Sequence, residues 1–217
     1  MAWIKVCGIT RAEDAAAAAS LGYDAIGFTF AESPHRVIPD RARSISRSLP
    51  PSMLRVGVFV NPDHGEARRL ADYCGLDLVQ LHGEEGPGEV ARFGARAIKA
   101  LRLRGPDELE RLEDYPGVFA ILLDAWDPVL RGGTGRTCDW ELAASAARRV
   151  RVILAGGLNP TNVGKAIARV RPFGVDVCSG VDFLPGEKDH RLMRSFALAG
   201  RRAFGALARG EGAHGRT

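Results

Sequence analysis

Eight short apolar runs, each separated from the next by a stretch of helical spacing, fill almost the whole chain, and this alternation restricts the possible folds more than any other feature. The runs are residues 4–7, 25–30, 54–60, 78–81, 97–101, 120–124, 152–155 and 175–178. They are continuously apolar rather than strictly alternating, which is the pattern of strands buried on both faces. Helical spacing recurs over 11–21, 41–48, 65–73, 106–112, 140–149 and 162–170. Asp40 and Asp63 stand where helices could be capped, and Pro106 and Pro160 fall at or just before first turns. Gly22, Gly75 and Gly94 stand where helices should stop. Strands joined by helices pair in parallel through right-handed crossovers. An open doubly wound sheet would carry a Gly-rich fingerprint after its first strand, and Cys7-Gly8-Ile9-Thr10 is not one. The predicted fold is therefore α/β, a single (β/α)8 barrel over residues 1–208, followed by a polar, Gly-rich tail at 209–217 that is expected to fray.

The 217 residues suffice to bury a large core without staples or metals. The net charge of +4 is mild, and the arginines lie scattered among apolar residues. A nucleic-acid surface would need a contiguous basic stripe, so no nucleic-acid partner is expected. No run reaches the ~20 apolar residues of a membrane span, and the opening segment reads as a strand rather than a signal peptide. None of Cys7, Cys74, Cys138 and Cys178 forms a C-x-x-C pair, and no His and Asp/Glu cluster suggests a metal. The expectation is a cytoplasmic protein with reduced thiols, free of metal and cofactor.

Polar residues gather at the predicted C-terminal ends of the strands, the end at which barrels of this kind carry their active sites. In order they are Cys7, the segment Ser33-Pro34-His35-Arg36, Asn61, His82-Gly83-Glu84-Glu85, Lys99, Asp124, Gly156-Gly157 and Cys178-Ser179-Gly180. Any one of them is weak evidence: a strand-end cysteine is commonly a small buried hydrophobe, and a strand-end aspartate commonly caps a turn. Gly156, Gly157, Ser179 and Gly180 follow the seventh and eighth strands, where backbone N–H groups and a helix N-terminus can cradle a phosphate. The segment Arg131-Gly132-Gly133-Thr134-Gly135-Arg136-Thr137 reads as a lid with basic residues; it lacks the spacing of a Walker loop.

These segments resemble the phosphoribosylanthranilate isomerase family. The resemblance rests on Lys5-Val6-Cys7-Gly8-Ile9-Thr10, Val79-Gln80-Leu81-His82-Gly83-Glu84-Glu85, Leu122-Leu123-Asp124, Leu154-Ala155-Gly156-Gly157-Leu158-Asn159-Pro160 and Val175-Asp176-Val177-Cys178-Ser179-Gly180-Val181, in family order over nearly the whole chain. It implies a cofactor-free Amadori rearrangement in tryptophan biosynthesis, acting on a small phosphosugar. The sequence itself leaves the assembly open between a monomer, the default, and a homodimer. The resemblance places the general base at Cys7 and the general acid at Asp124. It puts substrate-binding roles at Arg36, His82 and Asp176, and the phosphate cradle at Gly156, Gly157, Ser179 and Gly180. The spacing of His35-Arg36-Val37-Ile38-Pro39 leaves open whether His35 or Arg36 takes the family arginine's place. Cys138 stands where the family more often has an aromatic residue.

That chemistry has requirements. An aspartate titrates near 3.9 in water, so an acid at Asp124 needs burial or a nearby anion. A base at Cys7 needs thiolate, which a cation favours, and Lys5 shares the parity of Cys7 along the first strand. Related barrels acting on other phosphosugars, and a non-catalytic phosphate-binding barrel, are the competing readings. The retained Cys7 and Asp124 argue against mere binding.

Overall fold

A computed structural model describes residues 2–124 and 139–210. Eight parallel strands close into a barrel: β1 (Trp3–Val6), β2 (Ala25–Thr29), β3 (Leu54–Phe59), β4 (Leu78–Leu81), β5 (Ala97–Leu101), β6 (Ala120–Leu123), β7 (Val152–Leu154) and β8 (Gly174–Val177). Closure comes from β1 and β8, whose register pairs Trp3 with Gly174, Lys5 with Asp176 and Val6 with Val177. Each expected strand is present, and most end a residue or so earlier than the apolar run. The residues just past the ends, Cys7 and Asp124 among them, leave the ladder as rim positions while their N–H groups still bond a neighbouring strand, Cys7 to Val177 O of β8 and Asp124 to Leu101 O of β5.

Alternate residues point to opposite faces of each strand. The inner set, Trp3, Ala25, Val56, Leu78, Ile98, Ala100, Ala120, Leu122, Ile153 and Ala155, forms one apolar cluster. Its floor is aromatic: Trp3, Phe119 and Phe173 lie with ring centroids 5.9–6.0 Å apart, and the Arg151 guanidinium covers Phe173 at 4.7 Å. The outer set packs against the helices in a larger core that includes Ile4, Phe28, Ile121, Val175 and Phe196. Each such fully buried side chain contributes roughly 1.5–3 kcal/mol of transfer free energy.

The helices are α1 (Ala12–Ser20), α2 (Pro39–Ser48), α3 (His64–Cys74), α4 (Pro87–Ala91), α5 (Trp140–Ala147), α6 (Val163–Val170) and α7 (His190–Ala208). Asp63 caps α3, its side chain accepting from Glu66 N. Asp40 does not cap α2: Pro39 occupies the first turn, Ile38 is the cap residue, and the Asp40 carboxylate accepts instead from the Tyr73 hydroxyl. Gly75 ends α3 in the left-handed conformation, whereas Gly94 opens a short 3₁₀ turn rather than stopping an α-helix. Residues 106–112 are also 3₁₀ rather than α. The longest helix, α7, lies outside the six predicted helical stretches, although its buried Met193, Phe196, Ala197, Gly200 and Phe204 carry helical spacing. Between β8 and α7 sits a small hairpin, β9 (Asp182–Leu184) and β10 (Glu187–Lys188). The expected lid at 131–137 and most of the expected tail, residues 211–217, lie outside the described residues.

Candidate active site

Cys7 follows β1 and Cys178 follows β8, on neighbouring strands in register. Both share the inward parity of Lys5 and Asp176, two residues below them. Lys5 is fully buried, and its ammonium lies 2.6 Å from Asp176 Oδ2. Burial alone would lower the Lys5 pKa, but the Asp176 carboxylate and the Cys7 sulfur outweigh it, and Lys5 stays protonated. Burial pushes the Asp176 carboxyl up to about 7 against the pull of Lys5. Asp176 Oδ1 is buried and has no hydrogen-bond partner among the described residues.

The Cys7 thiol is held well below the usual thiol range. A hydrogen bond from Cys178 is the leading cause; burial opposes it, and Lys5 and Lys188 assist. The Cys178 thiol is pushed up correspondingly, first by its bond to Cys7 and then by burial. Lys188 reaches this pair from β10, with Nζ 3.2 Å from Cys178 O and 3.9 Å from Cys178 Sγ. Its ammonium is neutralised by Asp182 at 2.6 Å. Gly27 on β2 leaves room for all this, since a Cβ there would stand 2.6 Å from Cys7 Sγ.

Across the rim, Asp124 follows β6. His82, just past β4, places Nε2 3.3 Å from Asp124 Oδ2, and Gln80, two residues earlier, donates to His82 Nδ1 at 3.0 Å. Arg102, just past β5, comes within 3.7 Å of the same carboxylate oxygen. A cavity of about 280 Å³ adjoins this group, lined by His82, Glu85, Arg102, Arg104, Arg111 and Tyr115 among others.

The loops after β7 and β8 touch. Gly156 and Gly157 have φ of +81° and +64°, values that side chains with a Cβ rarely adopt. A Cβ on Gly180 would stand 1.9 Å from Leu158 O, so only glycine lets the two loops close together. Asn162 fixes the first loop by accepting from Asn159 N and donating to Gly157 O. The backbone N–H groups of Gly156, Gly157, Ser179 and Gly180 bond no acceptor among the described residues. Four such donors around two tight turns are suited to an anion.

The structure thus brings Cys7, Asp124, His82, Asp176 and the four cradle residues to one end of the barrel. Two of them also have partners within the protein. His82 is engaged with Asp124, and half of the Asp176 carboxylate is taken by Lys5. The structure also separates His35 from Arg36: His35 Nε2 is bound to Asp182 at 2.7 Å, whereas the exposed Arg36 guanidinium makes no hydrogen bond or ion pair among the described residues. Lys99 is not a rim residue. It lies within β5 and faces outward, where it binds Glu85 at 2.6 Å and Gly83 O at 2.8 Å. Arg102 and Lys188 were not among the expected rim residues, and Gln80 and Cys178, though at strand ends in the sequence, were given no role in the site. Strand parity could have found Arg102, Gln80 and Cys178. Lys188 arrives on a hairpin with no periodic signal. Among the described residues, no group of His, Cys, Asp or Glu could hold a metal, and no helix is long and apolar enough to cross a membrane.

Residues 4–199 match the family model described as N-(5'phosphoribosyl)anthranilate (PRA) isomerase. The chain is 51% identical over 194 residues to the N-(5'-phosphoribosyl)anthranilate isomerase of Pelobacter propionicus, covering 89% of this chain and 92% of that protein. Its fold is similar to the crystal structure of phosphoribosyl anthranilate isomerase from Thermotoga maritima, with a TM-score of 0.87 and 43% identity over 93% of this chain and all of that one. It is also similar, with a TM-score of 0.83 and 40% identity over 93% of this chain and 100% of that one, to a phosphoribosyl anthranilate isomerase in complex with reduced 1-(o-carboxyphenylamino)-1-deoxyribulose 5-phosphate. With its barrel, its paired rim groups and this coverage, the chain belongs to the N-(5'-phosphoribosyl)anthranilate isomerase family.

Proposed function

We propose that this chain converts N-(5'-phosphoribosyl)anthranilate to 1-(2-carboxyphenylamino)-1-deoxyribulose 5-phosphate, a step of tryptophan biosynthesis, by general acid–base catalysis without a cofactor. The observation that carries the reading is the placing of a thiol with a depressed pKa, Cys7, and a carboxyl group, Asp124, past the ends of strands of one barrel whose same rim holds the β7–β8 cradle.

The substrate phosphate sits on the N–H groups of Gly156, Gly157, Ser179 and Gly180, and Arg36 is available for the anthranilate carboxylate. Asp124 delivers a proton to the ribose ring oxygen as the C1–O bond breaks, leaving an iminium at C1. That positive charge acidifies the C2 proton, which the Cys7 thiolate removes. The resulting enaminol tautomerises to the ketone. Asp176 Oδ1, buried without a partner among the described residues, offers an acceptor to a substrate hydroxyl. A base that must remain a reduced thiolate suits the cytoplasm. The assembly is a monomer or a homodimer; a Thermotoga maritima relative is described as dimeric.

The test follows the loss of substrate fluorescence, with the substrate generated in situ. Cys7→Ala and Asp124→Ala should each lower kcat by about 10²–10⁴-fold. Near-native turnover in both would refute the assignment, and no turnover by folded wild-type protein would refute the reaction.

A further inference from the structure

We propose that Gln80 is a positioning residue for the acid: it holds the His82 ring in the tautomer protonated at Nε2, so that His82 donates to Asp124 Oδ2 and does not take up the catalytic proton. The proposal rests on the acid role of Asp124 given above. Gln80 is an amide on an inward position of β4, 1% exposed, directly above the apolar interior at Leu78. Burying an amide there without a compensating bond is costly. Its Nε2 donates to His82 Nδ1 at 3.0 Å, while its Oε1 is buried with no partner among the described residues. Apolar side chains such as those of Leu78, Ile98 and Ala100 fill the layer beside it and would avoid that orphaned atom, so the role we assign to the amide is its bond to His82.

A neutral imidazole has one N–H and one acceptor nitrogen. With the Gln80 NH₂ facing Nδ1, that nitrogen is the acceptor and the proton resides on Nε2. Nε2 lies 3.3 Å from Asp124 Oδ2, which therefore accepts. The opposite tautomer would turn Nε2 into an acceptor facing the acid. The Asp124 proton would then be directed to His82 instead of the substrate. The arrangement also serves the second half of the step, because the same Nε2–H stabilises the Asp124 carboxylate once its proton has gone.

The experiment reads the tautomer and the rate separately. Nitrogen-15 NMR of the full-length protein, with His82 assigned by its loss in His82→Asn, should show Nε2 protonated and Nδ1 bare in wild type. In Gln80→Glu the new carboxylate accepts from Nδ1–H; the tautomer should switch and kcat fall about 10²-fold, with KM little changed. Gln80→Leu, close in volume and unable to donate, serves if the glutamate prevents folding, and should lose the single tautomer and lower kcat. Wild type protonated at Nδ1 overturns the proposal, as does a switched tautomer with unchanged kcat. Absence of turnover in wild type would instead refute the isomerase reading, while the NMR result would still report on Gln80.

Discussion

Replacing Lys99 with methionine tests the clearest departure of the structure from the sequence pattern. The Lys99–Glu85 pair is buried on both sides, with side-chain exposures of 2% and 3% and a separation of 2.6 Å. Removing one partner of such a pair costs about 3–5 kcal/mol. Glu85 keeps the N–H groups of Asn61 and Gly83, which places the loss near the lower end, about 3 kcal/mol. For 217 residues the unfolding entropy is about 0.5 kcal/mol/K, so Tm should fall by about 6–7 °C. The effect has a pH signature. Burial raises the Glu85 pKa, but the Lys99 hydrogen bond and the Asn61 N–H outweigh it, and the net direction is down. A lowered carboxyl pKa contributes stability that is full above the unfolded value, about 4.3, and is lost as pH falls through the folded value. The gap between wild type and Lys99→Met should therefore be widest near neutrality and close below about pH 4. Lys99→Met/Glu85→Gln should regain more than half the loss, since an amide oxygen still accepts from the two N–H groups with no charge to bury. Denaturant melts and calorimetry across this pH range provide the measurement. A neutral-pH loss under about 1 kcal/mol, or a gap that does not depend on pH, would refute the reasoning.

Two further outcomes follow from the rim. Gly180→Ala pushes a Cβ against Leu158 O and opens the cradle; losing one charge-assisted bond, about 1.5–3 kcal/mol, should raise KM by roughly 10–100-fold, and steady-state kinetics showing an unaltered KM would contradict the cradle. On the proposed mechanism Cys7 acts as the thiolate, so kcat/KM should fall as pH drops through its lowered pKa. Cys178→Ala removes the leading cause of that lowering, so the acid limb should move up toward about 8.5; a limb that stays in place would show that Cys178 does not support the thiolate.

The barrel, the rim and the positions of Cys7, Asp124 and the cradle were legible in the sequence because each depends on a local rule. Period and composition mark a strand, the end of an apolar run marks the rim, and paired glycines mark a tight βα turn. What the sequence could not decide was which neighbours these groups would meet. Lys99 and Lys5 are both lysines within buried strands. Parity sends one outward to Glu85 and the other inward to Asp176, and the absolute sense of that parity is known only once the barrel closes. His35 and Arg36 are adjacent, and it is the β9–β10 hairpin, about 147 residues later in the chain, that occupies His35 through Asp182 and leaves Arg36 to the rim. Cys178 and Lys188 act on Cys7 only because β8 returns to pair with β1. Local propensity is written along the chain; the electrostatics of the site arise from contacts between residues far apart in it, and only the tertiary fold brings those together.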